Sequence, residues 1–431
     1  MVNLPDLPAE IILQILSYFG PPTIDPFWQR GITPQTLIPF SLSLDKKSRA
    51  TQIENAKRLG LNLLNVCNSN AGLASYIQEL AIQLPYIPLD ELESQLKQIW
   101  PHLTSLQTLT LTLTPACGCP SWLVTQLKSI PSLQTLCLRV MGDCIGPHFR
   151  ELPNIRNLYI EIYPPDIEDR ETDPLGPGPP MEPGAREEVS REVYHNWSTL
   201  FNDLMALIES CKNVIRMGWY IHWTMAHAFY RHTSYQGGGA PNASGPLIKR
   251  ISVFSPFLTS LSLSLESQLG TEPFIRALGG LPITDLALVS YDHLLLIGTE
   301  FEKFCKAFGK LRRLKLKLRA PSITVGGSSS SQFPIDMEPI VRGLSSLPYI
   351  RSYRGPILIK RPPTTPSRGS SIRIEAETAL IELANQLTIK GISPDTLFQW
   401  SVWVDGQYGP KEFDMVPKDG PKRLDHMDNG V

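Results

Sequence analysis

At 431 residues, with 40 Lys and Arg against 41 Asp and Glu, the chain has a formal net charge of -1, which excludes a general attraction to nucleic acid or to acidic membranes. Charged residues make up 19% and 39 residues are proline, against usual shares of about 25% and about 5%, a balance that fits many short elements joined by proline-rich connections. No apolar run nears the ~20 residues that span a bilayer. The first apolar stretch has no basic leader and the seven cysteines follow no regular framework, so the expected location is intracellular, cytoplasmic or nuclear.

The first nineteen residues predict a short, strongly apolar helix. Pro8 suits a first helical position, and Asp6 and Glu10 place negative charge at the positive end of the helix dipole. Leu7, Ile11, Ile15 and Phe19 then recur every four residues, widened by Ile12 and Leu16, so one face needs a partner.

The pattern Leu7-Pro8-x-Glu10-Ile11, Ile15-Leu16, Phe19 resembles the start of an F-box, and Thr36 to Arg49 resembles the second, helical part of that motif. Two departures stand out: the connection from Gly20 to Thr33 is longer than the family's, and Ser48 occupies a position where an aromatic is usual. The resemblance, closest to fungal F-box proteins with weak repeats, implies that residues 1–50 dock the Skp adaptor of an SCF-type cullin–RING ubiquitin ligase. Leu4, Leu7, Pro8, Glu10, Ile11, Ile15 and Leu16 match the adaptor-binding positions. A second reading keeps the helix within the chain, as the cap that a repeat stack needs at its end.

Beyond residue 59 one phrase recurs, an apolar residue, two variable residues and then Leu-x-Leu-x-Leu. It is clearest at Leu106 to Leu113, Leu133 to Val140, Ile155 to Ile162, Leu258 to Leu265 and Leu311 to Leu318, shorter at Leu80 to Leu84 and Ile283 to Leu288, and degenerate at Val214 to Ile221 and Ile350 to Tyr353. Leu80 to Leu109 is 29 residues, Leu109 to Leu136 is 27, Leu136 to Leu158 is 22, Leu261 to Leu286 is 25 and Leu286 to Leu314 is 28. Helical stripes separate the phrases: Leu89, Leu92, Leu96 and Ile99; Leu123, Leu127 and Ile130; Leu200, Leu204 and Leu207; Phe301, Phe304 and Phe308; Leu380, Leu383 and Leu387. Units of one strand and one helix at this period resemble irregular leucine-rich repeats, although the family's asparagine is missing. The expected fold class is therefore α/β, a short helical F-box followed by a leucine-rich-repeat solenoid over 59–405 with a curved parallel sheet. Loop insertions are expected near 164–190, 236–246, 326–332 and 361–371, and a flexible tail over 406–431.

Alternation in the strands turns leucines inward and their neighbours onto the concave face. That face is expected to bind a substrate protein through Arg139, Tyr159, Tyr220, Lys315, Lys317 and Arg319. The last three form a basic strip. It reads first as the lysines that protect a sheet edge from aggregation and second as a seat for an acidic or phosphorylated segment.

Catalytic and metal signals are weak. Cys117-Gly118-Cys119 lacks the second knuckle of a zinc site. His222, His227 and His232 fall five apart, which does not stack them on one helix face. Gly237 to Gly239 lacks the Lys-Ser/Thr of a phosphate loop. The expectation is a non-catalytic adaptor with no cofactor and no metal, whose partners are the Skp adaptor, through it a cullin, and a protein substrate, with neither nucleic acid nor membrane. The alternative is a repeat scaffold that acts without ubiquitin ligation.

Overall fold

The computed structural model describes residues 39–42, 77–83, 90–113, 121–141, 152, 154–163, 203–221, 244–265, 271–290, 299–318, 337–359, 369–393, 395–404, 411–416 and 420–423. The chain is α/β and forms two compact units, Met1–Val214 with Gly218–Gly238, and Ile215–Met217 with Gly239–Val431.

The first unit contains β1 (Pro39–Leu42), β2 (Glu79–Gln83), α1 (Asp90–Ile99), β3 (Thr108–Leu113), α2 (Ser121–Lys128), β4 (Thr135–Met141), β5 (Asn157–Tyr163), a helix α3 over 203–210, and most of β6 (Arg216–Ile221). Strands neighbour one another in chain order, and β1 through β5 pair in parallel. The second unit contains α4 (Ser244–Phe254), β7 (Ser260–Leu265), α5 (Thr271–Leu278), β8 (Asp285–Ser290), α6 (Thr299–Ala307), β9 (Arg313–Leu318), α7 (Met337–Ser345), β10 (Ser352–Ile359), α8 (Gly369–Ile389), β11 (Leu397–Val404), β12 (Lys411–Val416) and β13 (Gly420–Arg423). Again the order is that of the chain. Strands β7 to β11 are parallel, while β12 and β13 add antiparallel strands. A parallel neighbour needs a crossover, and α1, α2, α5, α6, α7 and α8 supply it between the strands they separate in sequence, so each unit is a solenoid-like stack built largely of strand–helix turns.

One backbone device recurs along the stack among the described residues. The Gln78 carbonyl accepts the N–H groups of both Gln107 and Thr108 (2.8 and 2.9 Å), Gln107 does the same for Gln134 and Thr135, and Gln134 for Arg156 and Asn157. In the second unit, Ile215, Thr259, Thr284 and Arg312 each accept the corresponding pair from the next strand. A tight turn precedes several of the strands. The N–H of Leu106 bonds to the Leu103 carbonyl, Leu133 to Ile130, Ile155 to Leu152, Leu258 to Ser255, Leu311 to Phe308 and Ile350 to Leu347. Pro131, Pro256 and Pro348 take the second turn position, where proline's fixed φ is already correct.

This register places leucine beside leucine. Leu80, Leu109, Leu136 and Leu158 form one row, and Ile82, Leu111, Leu138 and Ile160 the next. All are at most 2% exposed, and burial of each such side chain stabilises by about 1.5–3 kcal/mol. The expected helical stripes bury Leu96, Ile99, Leu123, Leu127, Leu204, Leu207, Phe301, Phe304, Leu380, Leu383 and Leu387.

In the second unit aromatics enter the same rows. Leu314 is in register with Tyr353, and Tyr353 with Phe398. Tyr353 lies 5.1 Å from Trp400 and 6.3 Å from Phe301, ring centre to ring centre, and Phe274, Phe304 and Phe308 form a second group. Such pairs add about 0.5–1.5 kcal/mol beyond their burial. Space for them comes from glycine: a Cβ on Gly355 would meet the Tyr353 hydroxyl, and one on Gly343 would lie 2.6 Å from the Phe301 ring.

Several expectations are corrected. Pro39–Leu42, within the part of the F-box motif expected to be helical, is a strand paired with β2, so the sheet begins inside the range assigned to a separate domain. Helix α4 begins at Ser244 and α8 at Gly369, each inside an expected loop insertion. Strands β12 and β13 lie in the segment expected to be a tail. The leucines of β9 sit in an internal strand, paired with β8 and β10, so the lysines there do not protect an edge. Leu4, Leu7, Pro8, Glu10, Ile11, Ile15 and Leu16 lie outside the described residues, as do the insertion near 164–190 and that near 326–332.

Candidate binding surface

Because side chains alternate along a strand, the face opposite the leucine rows collects the intervening residues in their own rows. In the first unit, Thr110, Cys137 and Tyr159 are in register, and beside them Thr112, Arg139 and Glu161. Arg139 Nε donates to Glu161 Oε2 at 3.0 Å, with side-chain exposures of 19% and 7%. The pair is thus a largely desolvated one on a face made otherwise of hydroxyls, a thiol and a phenol. Asn157 Nδ2 donates to Thr135 Oγ1 across the same two strands at 2.8 Å, one row nearer the strand starts.

Cys137 is half-buried in its row. Burial pushes its thiol up to about 12, with Glu161 adding to the rise, while the Thr110 hydroxyl and Arg139 oppose it only in part. Cys211 is held up to about 12 and Cys305 higher still, both by burial. Thiolate chemistry needs an electropositive and accessible site, and the buried Cys211 and Cys305 have none. Burial also raises the carboxyl of Glu79, at the start of β2.

Tyr159 and Tyr220 are half-buried on β5 and β6, strands that neighbour each other. Arg139, Tyr159 and Tyr220 therefore share the first unit, whereas Lys315 and Lys317 belong to the second. Arg319 lies outside the described residues. The five described residues of the six expected to bind substrate are thus divided between the two units.

The second unit's outward rows are Ser260, Asp285, Arg313 and Ser352, then Ser262, Ala287, Lys315, Arg354 and Gln399, while Ser264 and Val289, in the next row, are buried. Asp285 Oδ1 lies 3.2 Å from Arg313 Nε, its in-register neighbour. Arg354, directly beside Lys315, was not among the expected residues. Alternation from Tyr353 would have found it, but Gly355 and Pro356 interrupt the phrase at that point and disguise the strand.

Among the described residues, no group of three His, Cys, Asp or Glu side chains is placed to hold a metal ion, and no helix is long and apolar enough to cross a membrane. His222, His227, His232, Cys117 and Cys119 lie outside them. What this arrangement offers chemically is hydrogen bonding and charge on two outward sheet faces. No family model and no curated protein matches the chain.

Proposed function

We propose that this chain is the substrate-recognition subunit of an SCF-type ubiquitin ligase, in which the N-terminal F-box-like segment docks the Skp adaptor and the outward strand faces hold a substrate protein. The observation that carries the reading is the apolar stripe of Leu7, Ile11, Ile15 and Leu16 behind Pro8 and Glu10, joined to a stack that buries its own leucine rows. In this reading the stripe is available to another protein because the leucine rows are buried by the stack itself. The mechanism is proximity: the chain makes no bond itself but raises the effective concentration of substrate beside a ubiquitin-charged enzyme.

One observation favours the second reading, a scaffold independent of ubiquitin ligation. Strand β1 arises within the F-box-like range and extends the sheet, as a stack that continues to its own cap would do. A pull-down with purified Skp adaptor separates the two. The ligase reading expects the intact chain to bind and the double variant Ile11→Asp, Ile15→Asp to lose binding with unchanged thermal unfolding. If the intact chain does not bind, or the variant loses stability while binding is untouched, the scaffold reading replaces it.

A further inference from the structure

Helix α8 differs from its neighbours in length and in what it shows to solvent. It runs for 21 residues, about 32 Å, where α5, α6 and α7 have 8, 9 and 9. Those three dress their surfaces with charge pairs one turn apart: Glu272 with Arg276, Glu300 with Lys303, Glu302 with Lys306, and Glu338 with Arg342. Among its described residues α8 has no such pair.

Instead it is apolar on two opposite sides. Leu380, Leu383 and Leu387 are buried. Across the helix from them, by the 3.6-residue period, stand Ile381, Asn385 and Ile389. Ile381 is 49% exposed and Ile389 is 81% exposed, the most exposed large apolar side chain among the described residues. Ile374 precedes Ile381 by two helical turns in the same helix. Exposed apolar side chains scattered singly are ordinary. A row of them directed away from the helix's own core is the arrangement of a helix-pairing seam, and a polar Asn within such a seam fixes register.

The pattern selects its occupant. Ile381 and Ile389 lie four residues to either side of Asn385, so the seam is palindromic. A two-fold axis through Asn385 sets an antiparallel copy of α8 with Ile381 against the partner's Ile389 and the two Asn385 amides against each other, the self-complementary contact that two-fold symmetry requires. Charge follows the same symmetry. Glu382 and Lys390 each come one residue after an isoleucine of the seam, on the same flank, so the axis brings Glu382 toward the partner's Lys390. Gln386 Nε2 donates to only one oxygen of Glu382, Oε1, at 3.0 Å, and Lys390 has no ion pair among the described residues. A stable dimer buries about 800 Å² per partner, which two isoleucines do not supply, so the contact uses the extra length of α8 as well.

We infer that α8 joins two copies of this chain as an antiparallel helix pair centred on Asn385, anchored by Ile381 and Ile389. The inference goes beyond the ligase reading and does not depend on it, since the N-terminal segment takes no part in the pair.

Sedimentation velocity on the full chain over a range of concentrations tests it, and a monomer–dimer equilibrium is expected. Ile381→Asp and Ile389→Asp are each expected to raise the dimer dissociation constant about tenfold or more, because each change counts twice across the axis. Val253→Asp, at an exposed position of α4, is expected to leave it unchanged. All three positions face solvent in the single chain, and circular dichroism checks that the variants are folded. Glu382→Lys and Lys390→Glu are each expected to weaken the dimer, and the two together to restore it, since the exchanged charges meet again across the axis. A chain that stays monomeric at every concentration, an assembly larger than a dimer, a dimer indifferent to both isoleucine changes, or a charge exchange no tighter than its single variants each overturns the inference. A monomer would leave the seam to a different protein or to another segment of this chain.

Discussion

Removing Arg139 takes a short, largely buried hydrogen bond from a carboxylate. Glu161 is 7% exposed at its side chain and receives Arg139 Nε at 3.0 Å, so Arg139→Ala takes this counterion from a buried charge. Breaking such a pair from one side costs about 3–5 kcal/mol. Glu161→Gln is expected to cost less, roughly 1–2 kcal/mol, because Arg139 keeps 19% exposure and the amide oxygen still accepts a hydrogen bond. Replacing both with apolar residues of similar size, Arg139→Met with Glu161→Leu, removes two desolvation penalties together and is expected to be within ~1 kcal/mol of the native chain or more stable. Urea unfolding followed by circular dichroism measures the three values, with an unchanged m-value as the check that compactness is unaltered. Hydrogen exchange on peptides covering Thr135–Met141 and Asn157–Tyr163 assigns the loss to β4 and β5. An Arg139→Ala loss below about 1 kcal/mol, or a double variant as unstable as the two single losses combined, would refute the view that the pair is desolvated and mutually dependent.

The second unit offers a packing test: Gly343→Ala places a Cβ 2.6 Å from Phe301 ring carbons and is expected to cost about 1–3 kcal/mol, part of it recovered by Phe301→Leu, as read from thermal unfolding. The Tyr353 hydroxyl is buried with no hydrogen-bond partner among the described residues, so Tyr353→Phe is expected to stabilise by about 1 kcal/mol, measured by the same method. Glu79 has its carboxyl raised by burial above its ordinary value of 4.5, so its favourable contribution is full below that value and is lost as pH rises through the raised one; Glu79→Gln is therefore expected to raise the unfolding midpoint at neutral pH, with the gain vanishing in acid. Cys211 and Cys305, both buried and held as thiols by that burial, are expected to resist maleimide in the native chain at pH values near 8 and to react in urea, as peptide mass mapping would record.

The leucine rows were legible in the sequence because two periods coincide there. Alternation within a phrase marks which side chains turn inward, and recurrence of the phrase marks which strands lie side by side. Leu109, Leu136 and Leu158 satisfy both. The row fails where chemistry changes but volume is conserved: Tyr353, Gly355 and Trp400 occupy positions that leucines hold elsewhere, and a large ring beside a glycine fills the same space without the same letters. Arg354 was missed for that reason, although it stands next to Lys315. The role assigned to the lysines failed differently. Whether β9 is an edge depends on whether another strand pairs beyond it, and β10 is the copy whose phrase is most degraded. Strands β12 and β13 reverse direction relative to β11 and continue no repeat, so no recurrence announced them.

The remaining question is one of competition for a single apolar surface. Strand β1 is the first strand in the order of its sheet, and its pairing with β2 occupies one of its two sides. An uncovered strand edge is a site for unwanted pairing, and natural sheets cover or charge it. Residues before Pro39 are the nearest in sequence to that edge, and the stripe of Leu7, Ile11, Ile15 and Phe19 is the most apolar feature among them. The same stripe cannot both lie against the chain's own first strands and fill a groove on the Skp adaptor. In the ligase reading, Ile11→Asp leaves hydrogen exchange in β1 and β2 as it was, since the stripe never protected them. In the scaffold reading, exchange there quickens because the cap has been lost. The two outcomes are mutually exclusive, and both turn on where one set of isoleucines is buried, so the structural measurement decides the functional assignment without a substrate in hand.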